Sequence, residues 1–394
     1  MQERALAARA DLLRRRERNE HGKVSFVELF FDLVFVFAVT QLSHSLTDRF
    51  TLLGAAQTLL LLLAVWWVWI YTTWVTNWLD PERLPVRLVL LALMALGLIL
   101  SASIPGAFES RGLAFAGAYV TMQVGRTLFF LWAVRGHPVM VRTFQRILVW
   151  LALTGLFWIA GGLVHDAARL GLWVLALGLE YVSPSLGFRV PRLGRSTTRD
   201  WNVEGGHMSE RCGLFIIIAL GESILVTGAT FSGLPWTPAT VAAFLVSFVG
   251  SLAMWWLYFD TAAGIGSQTI AASEDPGQLA RLAYTYVHLF LVAGIIVAAV
   301  ADEFVLNHPL GHAEPRTTVA VLGGVALYLT GNTLFKWAIA GRLPVSPIVG
   351  IVLLGPLIPA SAVISPLALT TLATLVIVAV AVWPGDEDRA ARPH

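Results

Sequence analysis

The chain has 394 residues, 57% of them hydrophobic and 13% charged, with a net charge of +2. A soluble domain carries about 25% charged residues, so this balance excludes an ordinary soluble enzyme and predicts an all-α polytopic membrane protein. The small net charge gives no reason to expect a nucleic-acid partner, and the lone Cys212 excludes an intrachain disulfide and any cysteine-built zinc or iron–sulfur centre.

Residues 1–24 form a basic tail. The apolar run that follows is long and lacks a small-residue cleavage site, so it reads as a retained anchor rather than a removable signal. Apolar runs long enough to span as helices then predict twelve spans, at 25–46, 52–78, 85–104, 112–134, 143–164, 169–188, 208–229, 237–260, 281–302, 318–340, 345–360 and 366–383. Short loops rich in Pro, Gly or charge separate most of them, such as Asp80-Pro-Glu-Arg83 and Arg135-Gly-His-Pro138. Only Pro359–Pro366 divides the last two.

An even number of spans puts both termini on one side. Of the 27 Lys and Arg residues, only Arg49, Arg111, Arg169 and Arg316 then fall on the opposite side, and Arg126 lies within span four. Basic residues mark the cytoplasmic side, so the expectation is a bacterial cytoplasmic-membrane protein with both termini cytoplasmic and the lipid bilayer as its partner.

The halves echo each other in order. Ser25-Phe-Val-Glu28 opens span one and Gly206-His-Met-Ser-Glu210 opens span seven. Trp66-Trp67 lies in span two, which ends at Asp80. Trp255-Trp256 lies in span eight, which ends at Asp260. Tyr119 followed by Gly125-Arg126-Thr-Leu-Phe129 matches Tyr328 followed by Gly331-Asn332-Thr-Leu-Phe335. Six spans per half keep the same orientation, so these matches predict two parallel six-helix repeats. The resulting division is a tail at 1–24, a first repeat at 25–190, a cytoplasmic linker at 191–206, a second repeat at 207–383 and a tail at 384–394.

Charges inside apolar spans are the candidate functional residues, because each costs on the order of 3 kcal/mol or more at the bilayer centre. Glu28 and Asp32 lie four residues apart, on one helical face. Arg126 sits mid-span beside Gln123, and Glu180 lies mid-span in span six. Glu210 and Arg211 lie near the start of span seven, and Glu222 lies about 14 residues, roughly 20 Å, along it. Gly221 beside it is expected to admit another backbone. Acids at staggered depths with a buried cation suit a proton or ion pathway; the same groups equally suit ion pairs that fix helix register. Glu28 is close enough to the interface to snorkel.

Weaker marks are read as structural. His44 and His288 are expected to be hydrogen-bonded core residues, and His207 to contact Glu210 one turn on. The external His308/His312 pair beside Glu314 reads as a solvated loop, so no metal site is expected. Trp67, Tyr71, Trp74 and Trp78 form one stripe, the last two as interfacial anchors and the deeper ones as packing. Lys336 is expected to snorkel. Gly161-Gly162 and Gly323-Gly324 suit close packing within or between subunits. No Gly-x-Ser-x-Gly, His-Glu-x-x-His, phosphate-loop or dinucleotide fingerprint occurs, so no cofactor and no ATP-driven pump are expected.

The run Val24-Ser-Phe-Val-Glu28-Leu-Phe-Phe-Asp32-Leu-Val-Phe-Val-Phe-Ala38 resembles the opening signature of the bacterial low-temperature-requirement A (LtrA) family. Ser209-Glu-Arg-Cys-Gly-Leu-Phe-Ile-Ile-Ile-Ala-Leu-Gly-Glu222-Ser-Ile224 is similar to its second signature, and Trp255-Trp-Leu-Tyr-Phe-Asp260 fits as well. The resemblance runs from about residue 21 to 383 and implies a multi-pass bacterial membrane protein, with no settled biochemical activity attached. The leading expectation is a transporter or channel for a small solute or ion, with proton coupling through Asp32 and Glu222 at a shared central region and Arg126 and Glu180 tuning them. A lipid-modifying membrane enzyme and a structural or stress-response protein are the alternatives.

Overall fold

The computed structural model describes residues 12–14, 24–197, 203–259, 273 and 275–383. The described residues are helical, apart from loops and two isolated β-bridges. Twelve principal helices follow the apolar runs: α1 Phe26–Asp48, α2 Leu52–Trp78, α3 Leu84–Ser103, α4 Gly112–Ala133, α5 Pro138–Leu163 and α6 Asp166–Val182. The remainder are α7 Gly205–Ser232, α8 Pro238–Phe259, α9 Pro276–Asn307, α10 Pro315–Ala340, α11 Val345–Leu354 and α12 Pro366–Ala381. A single turn, Leu357–Ala360, follows α11.

Among the described residues, eight of these helices are long and apolar enough to cross a bilayer: α1, α2, α3, α5, α7, α8, α9 and α10. α4 has the length but carries Gln123 and Arg126 in its middle. α6, α11 and α12 have 17, 10 and 16 residues, shorter than a straight crossing needs. Asp260, expected to close span eight, lies outside the described residues.

Local chemistry sets the helix ends. Ser25 caps α1 in a capping box: its hydroxyl accepts from Glu28 N at 3.4 Å, and the Glu28 carboxylate accepts from Ser25 N at 2.9 Å. Thr51 caps α2 and Ser365 caps α12 by the hydroxyl alone, which accepts from the amides of Gly54 and Ala368. Proline opens α5, α10 and α12, where its missing N–H costs nothing. Gly341, at φ 67°, ends α10 in the left-handed conformation that a Cβ disfavours.

The described residues fall into two compact units, divided after Arg211, with Glu274–Gln278 counted in the first. In the first unit α4 packs on α3 and α5, α5 packs on α6, and α1 packs on α2 and α3. Its core is aromatic. Trp66, Trp67 and Trp69 of α2, Trp158 of α5 and Trp173 of α6 are fully buried, and Trp67 stacks on Tyr181 with ring centroids 4.1 Å apart. Arg169 ties the end of this unit together. Its guanidinium donates to the carbonyls of Gly161, Val164, Ala107 and Glu109 at 2.7–3.1 Å.

In the second unit α9 and α10 pack most extensively, and α12 lies against α8. Glycine allows the α9–α10 approach. A Cβ on Gly294 would stand 2.6 Å from Tyr328 N, and one on Gly324 2.8 Å from Ala298 N. Gly324 is thus an intramolecular packing residue, and Gly162 meets Leu113 Cα in the first unit. Among the described residues nothing lies within 4 Å of a Cβ on Gly323 or Gly221, so Gly323 makes no close contact within the chain and the backbone approach expected beside Glu222 is not made. Trp255 and Trp256 are 41% and 46% exposed, against 1% and 0% for Trp66 and Trp67. The shared Trp pair therefore occupies different environments in the two units. A π-helical turn, Arg281–Val287, leads into His288.

Candidate functional site: a buried charge cluster at the start of α1

Glu28 and Asp32 project from successive turns of α1, and both are wholly buried. Three surrounding segments supply their partners. The beginning of α7 contributes His207 and Arg211, again four residues apart on one face. The end of α2 contributes Trp69, Thr76 and Asn77. Residues 12–14 contribute Arg14.

Arg211 bridges the two acids. Its Nη1 lies 3.0 Å from Glu28 Oε1 and its Nη2 2.6 Å from Asp32 Oδ1. Trp69 Nε1 donates to the same Asp32 oxygen at 2.7 Å, and the Arg211 guanidinium lies over the Trp69 ring at 5.7 Å. Glu28 Oε2 receives Arg14 Nη2 at 2.8 Å, besides the Ser25 amide and hydroxyl. Arg14 Nε also donates to Thr76 O at 2.8 Å, and its backbone pairs with the turn after α2 (Arg14 N to Trp78 O, Asp80 N to Leu12 O). Part of the basic tail is therefore docked, with its side chain inserted into the acid cluster.

His207 contacts Glu28, where Glu210 was expected. Its Nε2 lies 2.9 Å from Glu28 Oε1, and Asn77 Nδ2 lies 3.3 Å from its Nδ1. Asn77 is oriented by a reciprocal pair with the Glu204 backbone, so its amide N–H points at Nδ1. Nδ1 then accepts, Nε2–H donates to Glu28, and the imidazole is neutral, so Arg14 Nη2, 3.2 Å from the same Nε2, makes no hydrogen bond with it. Two carboxylates and two guanidiniums leave the cluster balanced. Among the described residues, two polar atoms of the cluster have no hydrogen bond, Asp32 Oδ2 and Arg211 Nε. Both belong to the same ion pair.

The other expected residues are placed separately. Glu210 is exposed and accepts from Val24 N at 3.2 Å. Arg126 is buried but makes no ion pair among the described residues. It donates to Val68 O at 3.2 Å, Thr72 Oγ1 at 3.1 Å and Gln123 Oε1, and lies over the Tyr71 ring. Glu180 accepts from Tyr119, from Thr154 at 2.8 Å and from Trp158 at 3.0 Å. Gln123 Nε2 donates to the Tyr119 hydroxyl at 3.2 Å, so every donor from Arg126 onward points toward Glu180. A carboxamide is a poor proton carrier, so this chain polarises Glu180 rather than conducting to it. In the second unit Glu222 is buried and has no hydrogen bond or ion pair among the described residues.

One buried acid is not expected from sequence. Asp302 is buried in α9, with Thr227 Oγ1 3.5 Å from its Oδ2. The apolar pattern ends span nine at Asp302, but the helix continues to Asn307. His288 is the hydrogen-bonded core residue expected: Nδ1 donates to Ala283 O and Nε2 accepts from Tyr258, both at 2.8 Å. No group of three or more His, Cys, Asp or Glu among the described residues is arranged to hold a metal ion.

The comparisons agree with the two signatures around this cluster. The sequence profile of the family described as bacterial low temperature requirement A protein (LtrA) matches residues 23–382. An uncharacterized protein of Rhizobium meliloti (strain 1021) is 42% identical over 371 residues, covering 94% of this chain and 90% of that one. No solved structure matches. With both signatures, the long apolar helices and nearly the full length matched, the chain belongs to the bacterial low temperature requirement A (LtrA) family of membrane proteins.

Proposed function

We propose that the protein is a two-repeat transporter or channel of the bacterial cytoplasmic membrane, with both termini cytoplasmic. It moves a small solute or ion and couples to protons through intramembrane carboxylates. The observation that carries this reading is the Asp32–Arg211 pair. Two fully buried charges hold each other at 2.6 Å, yet one oxygen and one nitrogen have no hydrogen bond among the described residues. A pair evolved only for stability would satisfy both, because an unmade buried hydrogen bond costs about 1–3 kcal/mol.

Matched contacts support the twelve-span, parallel-repeat arrangement. Arg126 donates to Val68 O, one residue past Trp66-Trp67, and Asn332 donates to Leu257 O, one residue past Trp255-Trp256. The helix pairs α3–α4, α4–α5, α5–α6 and α2–α6 recur as α9–α10, α10–α11, α11–α12 and α8–α12.

A structural reading has its own observation: Glu28 is saturated by Arg14, His207, Arg211 and Ser25, as a helix staple would be. Proton and potassium flux into liposomes holding the purified protein, under imposed pH and voltage gradients, separates the two. Flux lost in both Asp32→Asn and Glu222→Gln is the expected result. Flux indifferent to both, or none from folded protein under any gradient, overturns the transport reading.

A further inference from the structure

Among the described residues of the second unit, Asp302 is the acid whose carboxylate is buried against hydroxyls from neighbouring helices. Thr227 of α7 stands 3.5 Å from Oδ2, and Ser247 of α8 faces the same carboxylate with a buried hydroxyl that makes no hydrogen bond. Thr227 already spends its own proton on Ser223 O at 2.7 Å, so it is poorly placed to donate to Asp302 as well. The site thus holds an acid, an acceptor hydroxyl and an uncommitted hydroxyl, with no cation. The other titratable groups of the surrounding helices are His207, Glu210, Arg211, Cys212 and Glu222 on α7, Tyr258 on α8, Arg281, Tyr284, Tyr286, His288 and Glu303 on α9, and Arg316, Tyr328 and Lys336 on α10; α12 has none. Asp302 makes no ion pair among the described residues, and Arg316 is engaged with Glu314 at 2.7 Å.

An ionised carboxylate this poorly solvated, in an apolar helix, is costly. The same group as a neutral acid has the acceptor it needs in Thr227 Oγ1. When it ionises, the Ser247 hydroxyl can turn to it. We propose that Asp302 is a reversible proton-binding site of the second unit. Its carboxyl releases a proton to water at the nearby helix end, five residues or roughly 7 Å away at Asn307, and takes one back from there. The proposal does not depend on the transport reading, because it concerns protonation alone.

Infrared difference spectroscopy on the full chain in liposomes, titrated with pH in water and in deuterium oxide, tests it. The expected result is a deuterium-sensitive band of a protonated buried carboxyl that disappears as pH rises. It should be absent from Asp302→Asn and retained in Asp32→Asn and Glu222→Gln. Ser247→Ala, which removes the hydroxyl available to the ionised form, should move the midpoint up by about one pH unit. That variant decides the matter if Asp302→Asn does not fold. No Asp302-dependent band, a band present at every pH, or an unmoved midpoint in Ser247→Ala would each overturn the proposal. So would a carboxylate that answers only to added sodium or potassium, which would make the site a metal-cation site.

Discussion

Arg211 and Asp32, 179 positions apart in sequence, meet at 2.6 Å with no part of either side chain exposed to solvent. The same guanidinium reaches Glu28 at 3.0 Å. Opening signature and second signature are therefore two halves of one electrostatic site. This explains why each carries charge in an otherwise apolar run: neither Glu28 and Asp32 nor Arg211 is tolerable in its helix without the other.

Breaking that pair should be far costlier than neutralising it. Arg211→Gln leaves two buried acids facing a neutral amide and should destabilise the protein by about 3–5 kcal/mol. Asp32→Asn keeps an acceptor for Trp69 and leaves Arg211 on Glu28, so it should cost clearly less. The double substitution should recover part of the Arg211→Gln loss. Thermal unfolding in detergent of the four proteins measures this; purely additive losses would show that the two side chains do not interact.

The docked tail makes a second expectation. Arg14 donates to Glu28, to Thr76 O and to Leu79 O. Arg14→Ala should cost about 1.5–3 kcal/mol, the range for hydrogen bonds to charged groups. Arg14→Lys keeps the charge without the fork and should fall between. Unfolding midpoints that match wild type in both would mean that the tail contact adds nothing.

Much of this was open to sequence reading, and the exceptions share a cause. Helix positions followed from apolar length, and Glu28 and Asp32 from their spacing on one face. Partner choice did not follow. His207 and Glu210 are neighbours on a helix, so local spacing favoured their contact, yet the tertiary fold brings His207 to Glu28. Arg126 and Glu180 are opposite charges at similar depth, but Gln123 and Tyr119 stand between them. Asp302 was missed because a charge after an apolar run reads as a helix end, and nothing in its own sequence says that Thr227 and Ser247 shelter it.

Glu180 gives a third prediction. Its two oxygens accept from three donors: Tyr119, Thr154 and Trp158. A glutamine there presents an N–H₂ to at least one of those donors, leaving two hydrogens opposed and a buried group unsatisfied. Glu180→Gln should therefore destabilise by about 2–3 kcal/mol, more than Tyr119→Phe, which removes one donor and leaves the carboxylate two. Comparable losses, or the reverse order, would place the carboxylate's weight elsewhere.

The glycines of α9 and α10 separate packing from mere flexibility. A Cβ at Gly294 would lie 2.6 Å from Tyr328 N and 2.9 Å from Tyr328 Cα, both backbone atoms that cannot swing aside. Gly294→Ala must push the two helices apart and should cost about 1–3 kcal/mol. Gly323→Ala, one helix away and with nothing within 4 Å of the new methyl, gains helix propensity instead and should be neutral or stabilising by up to about 1 kcal/mol. Both substitutions add the same single carbon to a helical glycine, so intrinsic propensity predicts the same sign for each. Opposite signs in thermal unfolding would identify close backbone approach as the reason for Gly294. A shared gain would mean that α9 and α10 can yield to a methyl without loss.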